Sequence, residues 1–481
     1  MKMEVFKSAK IEKELDLDTA EYISSINFDY EILNAVVWVN AVHLRILYEK
    51  DLVKKNSLEK ALEILKNISE NPPRDLDPRI EDIHAYIEKA LSEFSEEVAG
   101  MLSYGKSRND AVATAIRIRA REYLLETMHS ELILAQELLR KAGEHVRTLF
   151  PVYTHLQRAA PATLGFILHS YASKILRNVS SLPNIYSRVN LSPLGAGAAV
   201  GSSTEIDRLR EAQLLGFEDV IENSLDATTS RDFIITLISY LLNSGLTYSC
   251  LAEELVIYSS QEFNLIILPD GYVSTSSIMP HKRNPVVAEI ARTKIHEVLG
   301  ELVKIVGILS RQPSGYNLDY QQSTPKLWSA FREIKKTAKI LTRLIQNIQV
   351  NTSRALELCG GSILLTEIAN KLVKNFKVTY RKAYQLCSEI SKYLDEGSLD
   401  EEKFRSIVEK YGLSELDYRE FKNWMDPGSI VESYRTLGSP NPEIVEKMIE
   451  IDSRRVEALI EWCENTLEKN KKLFSKCFSI Q

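Results

Sequence analysis

The sequence predicts an all-α protein built around a bundle of long helices. Two observations carry that expectation. Glycine and proline are few, 19 and 15 in 481 residues, and they gather in a few clusters, leaving long stretches free of breakers. Within those stretches apolar residues recur at spacings of three and four, the period of a helix with one buried face. Residues 109–149, 204–268, 286–311 and 326–358 all carry such patterns. In the third, Val287, Ile290, Ala291, Ile295, Val298, Leu299, Leu302, Val306 and Leu309 form one apolar stripe. Helices of this length bury such a stripe against other long helices, in a bundle. A stripe that one chain cannot cover invites self-association, for which closed symmetry is the common outcome.

The breaker clusters divide the chain. They lie at Asn71–Pro78, Pro193–Gly201, the segment before residue 286, and Gln312–Gly315. We expect a three-domain protomer: an N-terminal helical domain over 1–106, a central long-helix bundle over 107–358, and a smaller helical domain over 359–481. The last begins near Cys359–Gly361, is more charged, and carries shorter helical patterns.

Bulk properties exclude several classes of function. Charged residues at 26% and hydrophobic ones at 44% are ordinary for a globular protein. A net charge of −6 argues against nucleic acid as a partner. The opening MKMEVFKSAKIEKELDLD lacks the apolar core of a signal peptide. The apolar run near Phe233–Leu242 is short and interrupted by Thr236, Ser239 and Tyr240, so no membrane span is expected. The five cysteines, Cys250, Cys359, Cys387, Cys463 and Cys477, are odd in number and lack CxxC spacing. They read as reduced core thiols of a cytoplasmic protein, not as disulfides or metal ligands.

Four segments concentrate chemistry. The richest is Ser274–Pro285, STSSIMPHKRNP, with no helical or strand period and a long amphipathic pattern directly after it. The seventeen-residue connection from Pro269 to Pro285 is longer than most loops in compact domains, which favours a functional lid. Asn284 as N-cap and Pro285 at the first helical position make a good helix start. That ordinary reading leaves Ser276, Ser277, Lys282 and Arg283 unexplained; a helix amino terminus beside Lys and Arg is an anion site. Glu289, one turn inside the helix, reads by itself as a carboxylate favoured by the macrodipole. The second segment is Tyr153–Ala159, YTHLQRA, which sets His155 among Thr154, Gln157 and Arg158 between Pro151 and Pro161. A histidine there can give or take a proton near neutral pH. The third, Gly105–Asp110, reads GKSRND and could be a basic turn with Asn109 or Asp110 capping the next helix. The fourth, Glu81–His84, reads EDIH and could be the first turn of a surface helix.

Taken together these segments resemble the argininosuccinate lyase family of the fumarase/aspartase superfamily. STSSIMPHKRNP is similar to that superfamily's signature GSSxMPxKxNP, GKSRND to GRSRND, and YTHLQRA is the family string. Arg188–Asp207, Asn223–Phe233, SINFD at Ser25–Asp29, EDIH, and YNLDYQ at Tyr316–Gln321 fit further family blocks in the same order. The resemblance implies a homotetramer on a twenty-helix core, with each active site drawing segments from three subunits. It implies reversible β-elimination of argininosuccinate to arginine and fumarate, with no metal or other cofactor. By matching position it implies Ser276 as base and His155 as proton donor or relay, with Glu289 as the partner of His155. Lys282 and Asn284 would stabilise the charge that develops. Ser25, Asp29, Asp82, His84, Arg108, Asn109, Thr154, Tyr316 and Gln321 match positions that bind substrate or line its pocket. Which of Ser276 and His155 is acid and which is base stays open.

The match has departures. Thr275 stands where the family has glycine, Ala160 where it usually has glutamine, and Thr324 where it often has a basic ligand; Lys326 is close to the last. YRKAY at Tyr380–Tyr384 lacks the family's histidine. Two other readings compete. MPHKRNP is closer to the adenylosuccinate lyase loop, but THLQ and SRND stand where that family prefers THGQ and TSSD. A non-catalytic, crystallin-like relative would have no reason to keep Ser276, Lys282, His155, Asn109 and Glu289 together.

Overall fold

The computed structural model describes residues 15–479, so most of the opening segment lies outside it. The architecture is all-α, as expected. The principal helices are α1 (Leu33–Glu49), α2 (Ile83–Phe94), α3 (Arg108–Glu144), α4 (Leu164–Val179), α5 (Asp232–Tyr258), α6 (Val286–Leu309), α7 (Thr324–Asn347), α8 (Leu365–Phe376), α9 (Tyr380–Asp395), α10 (Glu401–Lys410) and α11 (Pro442–Lys476). Strands are minor. A hairpin of β1 (Leu149–Thr154) and β2 (Gln157–Thr163) links α3 to α4, and two-residue ladders occupy some connections.

Helices α3, α5, α6 and α7 form the bundle, with α4 against α3 and α5. The core runs along α3, whose Ala115, Leu125, Met128, Leu132, Ala135 and Leu138 are fully buried, and meets Leu237, Leu241, Phe331 and Leu341 of α5 and α7. Tyr123 stacks between Trp328 and Phe331, at ring separations of 5.3 and 5.4 Å. Residues of α8, α9 and α10 share a separate core with Phe421, whereas α11 returns to lie on α3 and α4.

The apolar run near Phe233–Leu242 belongs to a longer element than its interruptions suggested. Helix α5 has 27 residues and a window of mean hydropathy 1.4, so by length and composition it could cross a membrane. Half of that window is buried against the bundle, and α6, α7 and α4 cover it. The thiols Cys359, Cys387, Cys463 and Cys477 are buried, Cys250 is exposed, and all five are free.

The stripe on α6 divides into two faces. Ala291, Ile295 and Val298 are buried within the chain. Ile290, Leu299 and Val306, together with Val303, remain 44–65% exposed. A groove of about 870 Å³ opens between α6 and α7, lined by Val287, Ile290 and Ile340.

Candidate active site

One group of candidate residues is assembled within the chain, at the end of the bundle where α3 starts. Glu81 is held at φ 77°, a conformation unusual for a residue with a side chain. Its carbonyl is pinned there by the Ser25 amide at 3.0 Å and the Ser24 hydroxyl at 2.6 Å. The next residue, Asp82, is the N-cap of α2, and its Oδ1 accepts from the Ala85 amide at 2.7 Å. Its Oδ2 accepts from Arg108, whose Nη2 also lies 3.8 Å from Glu88. Asp29 accepts from the Ser25 hydroxyl at 2.7 Å and from the Ile83 amide at 3.3 Å. Burial pushes the Asp29 carboxyl up to about 7, against the pull of the Ser25 bond. Gln321 donates to the Ile23 carbonyl at 2.9 Å, tying the Tyr316–Gln321 segment to the same wall.

The GKSRND segment is organised differently from the expected cap. Ser107 is the N-cap of α3 and Asp110 closes the capping box. The other oxygen of Asp110 accepts from the Gly197 amide at 2.8 Å, while Asn109 donates to the Ala198 carbonyl at 3.0 Å. The Pro193–Gly201 loop is thereby clasped to the start of α3. EDIH is not on a surface helix either. His84 is buried, its Nε2 has no hydrogen-bond partner, and it lines a cavity of about 470 Å³ with Glu81, Glu88, Lys106 and Arg108.

Burial holds the His84 imidazole down at about 3, well below the ordinary 6.5. In the unfolded chain it would take a proton below pH 6.5 that the folded protein refuses. The stability this neutral ring contributes is therefore present above pH 6.5 and is lost as pH falls towards 3. Replacing His84 by Asn removes that liability. The variant should gain stability relative to the parent by up to about 1.4 kcal/mol per pH unit below 6.5. Chemical denaturation at pH 7 and pH 5 checks this; an equal difference at both pH values would refute it.

The remaining candidates lie at the other end. Helix α3 has 37 residues and so carries the chain roughly 55 Å from Asn109 to the β1–β2 hairpin. Thr154 pairs with Gln157, leaving His155 and Leu156 as a two-residue loop with φ of 55° and 58°. Both values are those of the mirror-image turn that suits hairpins, normally filled by Asn and Gly. His155 and Leu156 fill it instead, and both are exposed. Strain of about 1–3 kcal/mol at such positions marks places where display matters more than stability.

The signature loop is a small hairpin, not an unpaired segment. β3 (Ser274–Thr275) pairs antiparallel with β4 (Arg283–Asn284). Thr275, the departure from glycine, sits opposite Arg283 in that ladder. Arg283 donates to Asp270 at 2.7 Å and to the Leu268 carbonyl at 3.0 Å, so it fastens the stem and leaves Lys282, exposed where the loop rejoins that stem, as a cation of the loop. Ser276 accepts from the amides of Ile278 and Met279 at 3.4 and 3.2 Å. Asn284 does not cap the helix: it is held in β4, Pro285 occupies the cap position, and α6 begins at Val286 without a side-chain cap. Pairing with Ser274 outcompetes the local capping preference. Glu289 lies in the first turn of α6, half-buried.

Helix α6 has 24 residues, so Ser276, Lys282 and Asn284 at its start are roughly 36 Å from the Tyr316–Gln321 segment beyond its end. Within one chain, Ser25, Asp29, Asp82, His84, Arg108, Asn109, Tyr316 and Gln321 share one end. Thr154, His155, Ser276, Lys282, Asn284 and Glu289 lie towards the other. The sequence singles out neither Arg231, buried near Tyr316 and Tyr320, nor any role for Asp110 beyond a helix cap; their burial among polar groups had no signal in composition or spacing.

Comparisons with known proteins agree on the lineage. A family model described as Lyase matches residues 16–300. The chain is 36% identical over 476 residues to the argininosuccinate lyase of Methanocaldococcus jannaschii, covering 98% of each. It is 36% identical over 452 residues to that of Methanococcus maripaludis, covering 93% and 94%. Among solved structures, EDDS lyase in complex with formate superposes with a TM-score of 0.84 at 23% identity, over 93% of this chain and 91% of that one. The fumarate lyase:delta crystallin of Brucella melitensis gives 0.74 at 17% identity, over 88% and 98%. The structural likenesses, at that identity, speak for the fold; the near full-length likeness in sequence decides the rest, and the chain belongs to the argininosuccinate lyase family of the fumarase/aspartase superfamily.

Proposed function

We infer that the protein is a carbon–nitrogen lyase that cleaves argininosuccinate reversibly to arginine and fumarate. The observation that carries this reading is the likeness, over nearly the whole chain, to argininosuccinate lyases of methanogens. A base removes a proton from the carbon beside a carboxylate. The electron pair left behind becomes the second bond of fumarate as the C–N bond breaks, and the departing guanidino nitrogen takes a proton. The intermediate carries extra negative charge on the carboxylate, so fixed cations and amide groups lower the barrier. Lys282, Asn284 and the start of α6 supply them. Ser276 is the base and His155 the donor or relay, with Glu289 as its partner. A serine is a poor base in water and needs its neighbours to be activated, which loop closure would provide.

The site is completed by neighbouring chains in a homotetramer. The candidate residues sit at opposite ends of helices about 36 to 55 Å long, and no bend of one chain can join them. A second copy laid antiparallel along the bare face of α6 brings one chain's hairpins to the other chain's Asp82–Arg108 end. The exposed Ile290, Leu299, Val303 and Val306 are an apolar strip of the kind such a contact buries. The division at 106/107 and 358/359 goes with this reading, the middle part supplying the shared core.

The decisive assay mixes purified protein with argininosuccinate, and separately with adenylosuccinate, and follows fumarate absorbance. Fumarate from argininosuccinate alone is the expected result. Fumarate from adenylosuccinate alone, or from neither, overturns the assignment.

A further inference from the structure

Arg231 is alone among the described residues in having two buried side-chain nitrogens, Nε and Nη2, without a hydrogen-bond partner. It is 3% exposed, and among the described residues no carboxylate lies within ion-pairing distance of it. Its Nη1 is bound to main-chain carbonyls, those of Ser230 at 3.0 Å and Thr228 at 3.4 Å. Burial lowers its pKa to about 10, so it stays charged at neutral pH. A second guanidinium makes matters worse. Arg117 is close enough for the like charges to repel, and it donates to the Ser230 hydroxyl at 3.0 Å while its plane covers Phe233. A buried cation that keeps two donors idle beside another cation is a site awaiting an anion.

The surroundings say which anion. Arg231 lies over the Tyr320 ring, 5.4 Å from its centre. Burial raises the Tyr316 phenol; Arg231 acts against that rise, and Asp82, Asp29 and Glu81 add to it, so Tyr316 is within electrostatic reach of both the cation and the acids. A dicarboxylate such as fumarate would meet repulsion from those acids. An α-amino acid would not: its ammonium suits the acidic side and its carboxylate the idle guanidinium.

We propose that Arg231 is a substrate-binding residue that receives the α-carboxylate of the arginyl half of the substrate, with Tyr316 and Tyr320 beside it. The proposal rests on the reading of the enzyme as an argininosuccinate lyase.

Calorimetry of product binding to the full-length protein tests it without turnover. Arginine should bind more tightly than agmatine, which lacks the α-carboxylate, and R231Q should weaken arginine binding by about 10- to 100-fold, leaving agmatine and succinate unchanged. In turnover, KM should rise more than kcat falls. An arginine-to-agmatine ratio in R231Q equal to that of the parent overturns the proposal. Should R231Q fail to fold, R231K decides: it keeps the charge and loses the fork, so a reduced ratio supports the assignment and an unchanged one refutes it. Failure of the functional reading itself would show separately, as absence of fumarate release by the parent protein.

Discussion

Ser276→Ala lowers turnover of argininosuccinate by at least ~10²-fold, the loss usual for a general acid or base. Arginine binding to the free enzyme stays close to that of the parent, because the hydroxyl bonds only within its own loop, to the amides of Ile278 and Met279. Those bonds fix the direction in which the oxygen can accept. They also mean that the variant frees two exposed amides, which water can satisfy, so the fold should be little disturbed. Single-turnover measurement separates the step from product release. Turnover within a few-fold of the parent would remove Ser276 as the base. His155→Asn is expected to match the loss in size; the asparagine tolerates the left-handed turn at residue 155, so a fall in rate reports the missing imidazole and not a broken hairpin.

The second large effect is recovery. Inactive Ser276→Ala and His155→Asn proteins, dissociated and recombined, should regain activity if the two side chains of one site come from different chains. Random mixing leaves a fraction of sites with both groups intact, so the return is partial. Verified mixed assemblies that stay inactive would place Ser276 and His155 of each site on a single chain. The geometry requires more than one chain per site, since the residues gathered at the Asp82–Arg108 end cannot be reached by the hairpins of their own chain across α3 and α6; the mixing experiment decides whether Ser276 and His155, which lie towards the same end of each chain, enter a site from one chain or from two.

The bundle was legible because its evidence is local and repeated. Breaker-free stretches and three-four spacing located α3, α5, α6 and α7 without knowledge of partners. The blocks that mark the family were legible for the same reason, being contiguous strings. What stayed hidden depends on contacts between distant segments. The cap at Asn284 looked good locally, and pairing with Ser274 displaced it. His84 in a first helical turn looked exposed, but tertiary packing buries it beside a cavity shared with Glu81, Lys106 and Arg108. Asp110 looked like one of two cap candidates; its partnership with Gly197, 87 residues away, cannot be read from spacing. The α6 stripe was counted as one face because period alone does not tell which rows of a helix its own chain covers.

The hairpin that carries His155 is tight at its tip, although its ladder shifts register by one residue between Val152 and Tyr153. With Thr154 opposite Gln157, the connection is two residues long, and strands alternate their side chains from one face to the other. Inserting or deleting a single residue at this tip would change the two-residue turn that holds Thr154 opposite Gln157, and with it the direction in which the imidazole is presented. Length variation between Pro151 and Pro161 should therefore be far less tolerated than substitution at Leu156, even though both occur in solvent.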